Sequence, residues 1–167
     1  MAEKVQSTII DSVDALNERL AQMRKAQAEF ATFTQEQVDK IFYEAAMAAN
    51  KARIPLAKMA VEETGYGRVE DKILKNRFAA LTLYDAIKEE KTHGILAQDQ
   101  ERRTIDIGVP VGPVAGLVPS TNPTSTVIYK AMICMKAGNP IVFLPTSAAG
   151  VHRRDGAGGG PGRPAGG

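Results

Sequence analysis

The sequence predicts an α/β fold, a helical first half followed by a strand–helix–strand unit, and three observations carry that prediction. Apolar residues recur at helical spacing from Ile9 to Ile87. The pattern changes to alternation after Gly94, where Ile105, Ile107 and Val109 interleave with Thr104, Asp106 and Gly108. Finally, two short apolar runs of the buried-strand type, Val114–Val118 and Ile141–Leu144, flank a helical segment from Pro123 to Lys136. Parallel strands joined by a crossover helix open a Rossmann-like dinucleotide-binding unit. Nothing after Leu144 offers further strands, so the unit is expected to be incomplete.

Each element has its own signals. Val13, Leu16, Leu20, Met23 and Phe30 share one face of a first amphipathic helix spanning about Ile9–Phe33. Thr34 with Gln37 three residues on forms a capping box, which starts a second helix with Val38, Ile41, Phe42 and Ala45 inward. Pro55 suits a first turn and so marks the start of a third helix, which Gly65 and Gly67 end. A fourth runs from Val69 toward Lys91, with Ile73, Leu74, Phe78, Leu81, Tyr84 and Ile87 as its apolar stripe and Glu70, Asp71, Lys72 and Lys75 in its first turns. The helical region is therefore 1–93 and the βαβ unit 102–145, within one segment ending near residue 149. Beyond it, residues 150–167 are rich in Gly, Pro and Arg and hold no large apolar residue after Val151, so a disordered tail is expected.

Composition narrows the function classes. A chain of 167 residues with 44% hydrophobic content supports one core. A net charge of +2 gives no electrostatic case for nucleic acid or membrane. No apolar run approaches the length of a bilayer span, and the polar first residues do not form a secretory signal, so a cytoplasmic protein is expected. One cysteine excludes an internal disulfide, and His93 and His152 are too far apart to suggest a zinc site.

Three runs in fixed order carry a family resemblance: FTQEQVDKIF at 33–42, ARIPLAKMAVEETGYGRVEDKILKN at 52–76, and VPSTNPTS at 118–125. From Asp11 to Pro145 the chain resembles the CoA-acylating aldehyde dehydrogenases, both the acetaldehyde dehydrogenase half of bifunctional aldehyde-alcohol dehydrogenases and their single-function relatives. The resemblance implies an NAD-dependent oxidation of a small aldehyde. In that reaction a cysteine thiolate adds to the aldehyde, hydride passes to the nicotinamide, and coenzyme A takes the acyl group from a thioester. It also implies a homo-oligomer. The nucleophilic cysteine belongs to a later catalytic domain outside these residues, so the chain is expected to be inactive alone, and the loss of pattern near Ser147 suggests a truncated or frame-shifted gene.

The resemblance assigns roles to individual residues. Asn122 matches the asparagine whose amide binds the developing oxyanion; on turn statistics alone, Asn-Pro would merely shape the turn. Pro119, Ser120 and Thr121 fall at the carboxyl end of a strand, where open α/β sheets place ligands, so cofactor contact is expected. Thr124 and Ser125 offer hydroxyls and free N–H groups at a helix start, for a cofactor or for capping. The second strand end departs from the relatives' Ser-Pro-His-Pro, and only Pro145 matches. Cys134 is expected to be a packed core cysteine without a cation to activate it. Glu62, Glu63, Glu70 and Asp71 read as solvated helix ends, and Gly112 with Gly116 does not complete a GxGxxG motif.

Two other classes of function remain open on the sequence. One is a non-catalytic oligomerisation module that pairs with full-length subunits of the same family through its unfinished sheet edge. The other is RNA binding by Arg153, Arg154 and Arg163, which the absence of interleaved aromatics argues against.

Overall fold

The computed structural model describes Ile10 and residues 12–146. It runs α1 (Val13–Phe30), α2 (Gln35–Thr64), α3 (Val69–Arg77), a π-helical segment (Phe78–Thr82), α4 (Leu83–Ile87), β1 (Gly94–Asp99), β2 (Thr104–Gly108), β3 (Val114–Val118), α5 (Pro123–Lys136) and β4 (Ile141–Pro145). The tail at 150–167, with its three arginines and His152, lies outside the described residues. Among those described, no helix is long and apolar enough to cross a membrane.

The strand–helix–strand unit forms as its pattern requires. β3 and β4 pair in parallel, from Val114 opposite Ile141 to Val118 opposite Pro145, with α5 as the connection. One side of α5 packs on these strands and the other meets α2 and the π segment. There Phe42, Ala46, Ala79, Ala80, Ile128 and Met132 make the core, and Tyr84 tilts against Phe42 at 5.4 Å between ring centres. The second helix starts at the expected capping box: the Gln37 N–H donates to the Thr34 hydroxyl at 3.3 Å, and the Thr34 N–H donates to Gln37 Oε1 at 2.9 Å. Gly65 ends that helix in a left-handed conformation, φ 68°.

Several expectations need correction. The first helix is shorter than its apolar pattern, and only Met23 of its stripe is buried. Pro55 does not begin a helix; it sits inside α2, which continues unbroken for 30 residues. The proline leaves the carbonyl of Lys51 without its helical donor, but Lys51 is exposed to water, and the burial of Ala46, Ala57 and Ala60 on both sides of the proline keeps the helix together. The fourth helix is interrupted by the π segment and its face is turned. Leu74 and Phe78 of the expected stripe are 65% and 64% exposed, whereas Lys72 and Asn76 are buried. Hydrogen bonds from these polar side chains, not apolar burial, fix the face that α3 presents to the core.

The strand at 104–108 also departs from expectation. It does not extend the βαβ sheet but pairs antiparallel with β1, a strand the alternation did not reveal, to make a separate two-stranded hairpin. Neither of its faces is covered: Thr104 and Asp106 on one and Ile105 and Ile107 on the other are all exposed. Its base is tied down by Gln35, whose Oε1 accepts the N–H groups of Thr92 and His93 at 2.8 and 2.9 Å.

Candidate functional site

The turn between β3 and α5 is the place where chemistry-bearing residues collect. Val118 ends β3, Pro119 to Thr121 turn the chain, and Asn122 occupies the position before the first turn of α5. Pro123 follows at the start of the helix, where its missing N–H costs nothing. Because β3 and β4 run in register, Pro145 lies across from Val118, so Pro119, Ser120 and Thr121 and the end of β4 share one carboxyl edge. The N–H of Thr146 donates to the Val118 carbonyl at 3.0 Å and holds that edge together.

Asn122 does not cap the helix it precedes. No side chain caps α5, which leaves the positive end of the helix with free N–H groups. Instead the Asn122 Oδ1 accepts from Lys75 Nζ at 2.9 Å, and its Nδ2 stands 3.5 Å from the Thr121 hydroxyl. Two more side chains of α3 hold the same turn. Lys72 Nζ donates to the Thr121 carbonyl at 2.8 Å, and the Thr124 hydroxyl donates to Asn76 Oδ1 at 2.8 Å. Asn76 in turn donates to the Arg53 carbonyl of α2 at 3.0 Å. Lys72, Lys75 and Asn76 stand three and four apart, on one helix face.

Beside this turn opens a groove of about 450 Å³ lined by Lys75, Phe78, Ala79, Asn122, Ser125, Thr126, Tyr129 and Lys130. Among the described residues, two ammonium groups and no carboxylate border it, and the free N-terminus of α5 adds to the positive potential. Burial lowers the pKa of Lys72 from the ordinary lysine value, and the like charge of Lys75 lowers it further. The π segment begins at Phe78, on the wall of the groove. Such single π turns inside helices are frequent at functional sites.

The structure thus brings Asn122 and Ser125 to one groove, and Pro119–Thr121 with Pro145 to one sheet edge. The hydroxyl proton of Thr124 is committed to Asn76, so this side chain faces the scaffold. Cys134 is buried, and burial raises the pKa of its thiol. Contrary to expectation a cation does act on it, since Lys130 one turn away pulls the thiol down, but desolvation is the larger effect. The sequence reading missed Lys72, Lys75, Asn76 and Phe78. Nothing in the spacing of Lys72, Lys75 and Asn76 distinguished them from a solvated helix face, Phe78 read as part of a buried apolar stripe, and no sequence signal marked the π segment.

The chain matches the aldehyde dehydrogenase family over residues 3–152. It is 54% identical over 136 residues to the bifunctional aldehyde-alcohol dehydrogenase of Escherichia coli strain K12, an overlap of 81% of this chain and 15% of that protein. An acetylating aldehyde dehydrogenase from Geobacillus thermoglucosidasius superposes with a TM-score of 0.78 at 48% identity, over 84% of this chain and 32% of that one. An engineered glycolyl-CoA reductase with bound NADP+ superposes with a TM-score of 0.60 at 28% identity, over 88% of this chain and 32% of that one. The chain therefore spans less than a third of the length of these relatives. A family match over most of the sequence, joined to a parallel βαβ unit with Asn122 at its carboxyl edge, shows that this chain belongs to the aldehyde dehydrogenase family, in which it is similar to the acylating enzymes.

Proposed function

We propose that the chain supplies the oxyanion-binding and cofactor-side elements of a cytoplasmic, NAD-dependent, CoA-acylating aldehyde dehydrogenase, which converts a small aldehyde, NAD and coenzyme A to an acyl-CoA and NADH. The observation that carries this reading is the Asn122 amide, held at the mouth of the 450 Å³ groove with its oxygen already bonded to Lys75. When a nucleophile adds to an aldehyde, the carbonyl oxygen gains negative charge. A fixed, neutral N–H donor aimed at that oxygen stabilises the transition state more than the ground state. The positive end of α5 acts in the same sense.

The carboxyl edge of β3 and β4 suits a dinucleotide. Ser120 and Thr121 offer hydroxyls there, Pro145 bounds it, and Ser125 adds a hydroxyl at the helix start with no side chain capping the N–H groups. When bound, the nicotinamide accepts hydride from the substrate carbon, and the chain's own part is to bind and orient. Cys134 takes no part in the chemistry: a buried thiol with a raised pKa is a poor nucleophile. The nucleophile comes from outside these residues.

The test is a chimera in which residues 12–145 replace the matching segment of the Escherichia coli relative. CoA-dependent aldehyde oxidation is followed as NADH formation. Activity is expected in the chimera, and Asn122→Ala is expected to lower its kcat by roughly 10² to 10³, the usual loss for one oxyanion donor. An active chimera indifferent to Asn122→Ala overturns the assignment.

A second reading, association with further copies of the family, is favoured by the β1–β2 hairpin. Ile95, Ile105, Ile107, Val109 and Val111 are each at least half exposed there, a cluster that isolated soluble domains seldom leave bare. The two readings are compatible, since an oligomeric enzyme would use both surfaces.

A further inference from the structure

We infer that Lys75 is a positioning residue, one that fixes which end of the Asn122 amide faces the substrate groove; the inference rests on the oxyanion role proposed above. A side-chain amide has two nearly isosteric ends, an acceptor oxygen and a donor nitrogen, and a half turn about the last torsion exchanges them. Presented to a developing oxyanion, the nitrogen stabilises and the oxygen repels. The geometry of the turn alone does not choose between them, because Asn122 caps nothing and the contact from its Nδ2 to the Thr121 hydroxyl, at 3.5 Å, is weak.

Lys75 makes the choice. An ammonium has three donors and no acceptor, so only Oδ1 can meet it. The bond is 2.9 Å and charge-assisted. With Oδ1 held, Nδ2 is left to donate, and the nearby cation draws electron density toward the amide oxygen and makes the N–H a better donor. The two neighbours of Lys75 on the same face keep the backbone from shifting. Lys72, 4% exposed, grips the Thr121 carbonyl just before Asn122, and Asn76, fully buried, takes the Thr124 hydroxyl just after it. The π segment starts within one turn of these residues and places Phe78 on the groove wall beside Lys75. Thus α3 orients an amide on another element.

The experiment uses the same chimera. Lys75→Met keeps the length of the side chain without its donors and is expected to lower kcat about tenfold, with KM for aldehyde, NAD and coenzyme A within twofold. Lys75→Arg, again a pure donor, is expected to restore kcat to within about threefold. In the Asn122→Ala background Lys75→Met is expected to cost nothing further, because the amide it orients is gone. An unchanged kcat, a loss that adds fully to that of Asn122→Ala, or an effect confined to KM for a phosphate-bearing substrate overturns the inference. If Asn122→Ala itself is silent, the functional reading fails and takes this one with it. A second measurement needs no turnover. In the ¹⁵N-labelled 167-residue chain, the Asn122 side-chain NH₂ pair is expected to be widely split and to collapse toward free-amide shifts in Lys75→Met but not in Lys75→Arg; an identical pair in all three overturns the inference.

Discussion

Among the described residues, Lys72 and Lys136 are the ammonium-bearing residues that the fold removes almost wholly from water, at 4% and 2% exposure. Each is matched by acceptors: Lys72 by the Thr121 carbonyl, and Lys136 by the Asp39 carboxylate and the Lys88 carbonyl, while its charge lies 5.3 Å above the Phe42 ring. Cys134 is a second kind of buried titratable group, its thiol pushed up by burial. Its folded thiol has a pKa raised above the ordinary 9.0, so the folded chain keeps a proton that the unfolded chain releases. The stability this contributes is fully present below about pH 9 and is lost as pH rises through the folded value. Lys72, with a lowered pKa, acts in the opposite direction: above its folded pKa the unfolded chain holds the extra proton, and stability rises with pH. Comparison with Cys134→Ala separates the two effects. Between pH 8 and pH 10 the urea midpoint of the parent should fall more than that of the variant, and equal slopes would remove the thiol from this account. The burial of Cys134 was legible from its place among apolar residues on α5. The roles of Lys72 and Lys136 were not, because lysine in a helix reads as solvated until the acceptors from other elements are known.

At the scale of elements, local chemistry decides starts and stops, and packing decides continuity. The Thr34 capping box satisfies the first donors of α2 with two bonds confined to four residues. Thr34→Ala is therefore expected to cost about 1 kcal/mol, a fall of roughly 2–4 °C in Tm for a domain of this size, with Thr34→Ser close to the parent; calorimetry of the three proteins checks it. Pro55 shows the opposite case, a local helix-start signal that buried alanines on either side of it override, so that one helix runs through it. Strand β1 was illegible for a different reason. Its sequence GILAQD has no alternation, and the signal that marks the hairpin is the turn after it, where Asp99 Oδ1 accepts the N–H groups of Glu101 and Arg102, both at 2.9 Å, and Arg103 adopts φ 53°. The turned face of α3 has the same origin as the buried lysines. Leu74 and Phe78 match an apolar stripe by spacing, yet the helix rotates to place hydrogen-bonding Lys72 and Asn76 inward.

At the scale of the whole molecule, the surfaces left uncovered are as informative as the core. The hairpin exposes Ile105 and Ile107, and β3 exposes Leu117 on the face away from its helix. Self-association through the hairpin predicts a mass in light scattering above that of one 17.9 kDa chain, and the double variant Ile105→Lys, Ile107→Lys should return to it. A parent that already runs as a single chain would remove the hairpin as a self-association surface.

The sequence by itself determined the α/β class, the parallel βαβ unit, the capped start of α2, a helix end at Gly65, and the family to which the chain belongs. These rest on periodicity, capping and short ordered motifs, which act within a few residues. Only the tertiary structure decided that α3 orients the β3–α5 turn, that β2 leaves the sheet for a hairpin, and that the Asn122 amide has its oxygen held by Lys75, 47 residues away. The physical reason is that a donor finds its acceptor across space, and two residues so far apart in sequence share no local pattern that could announce the bond.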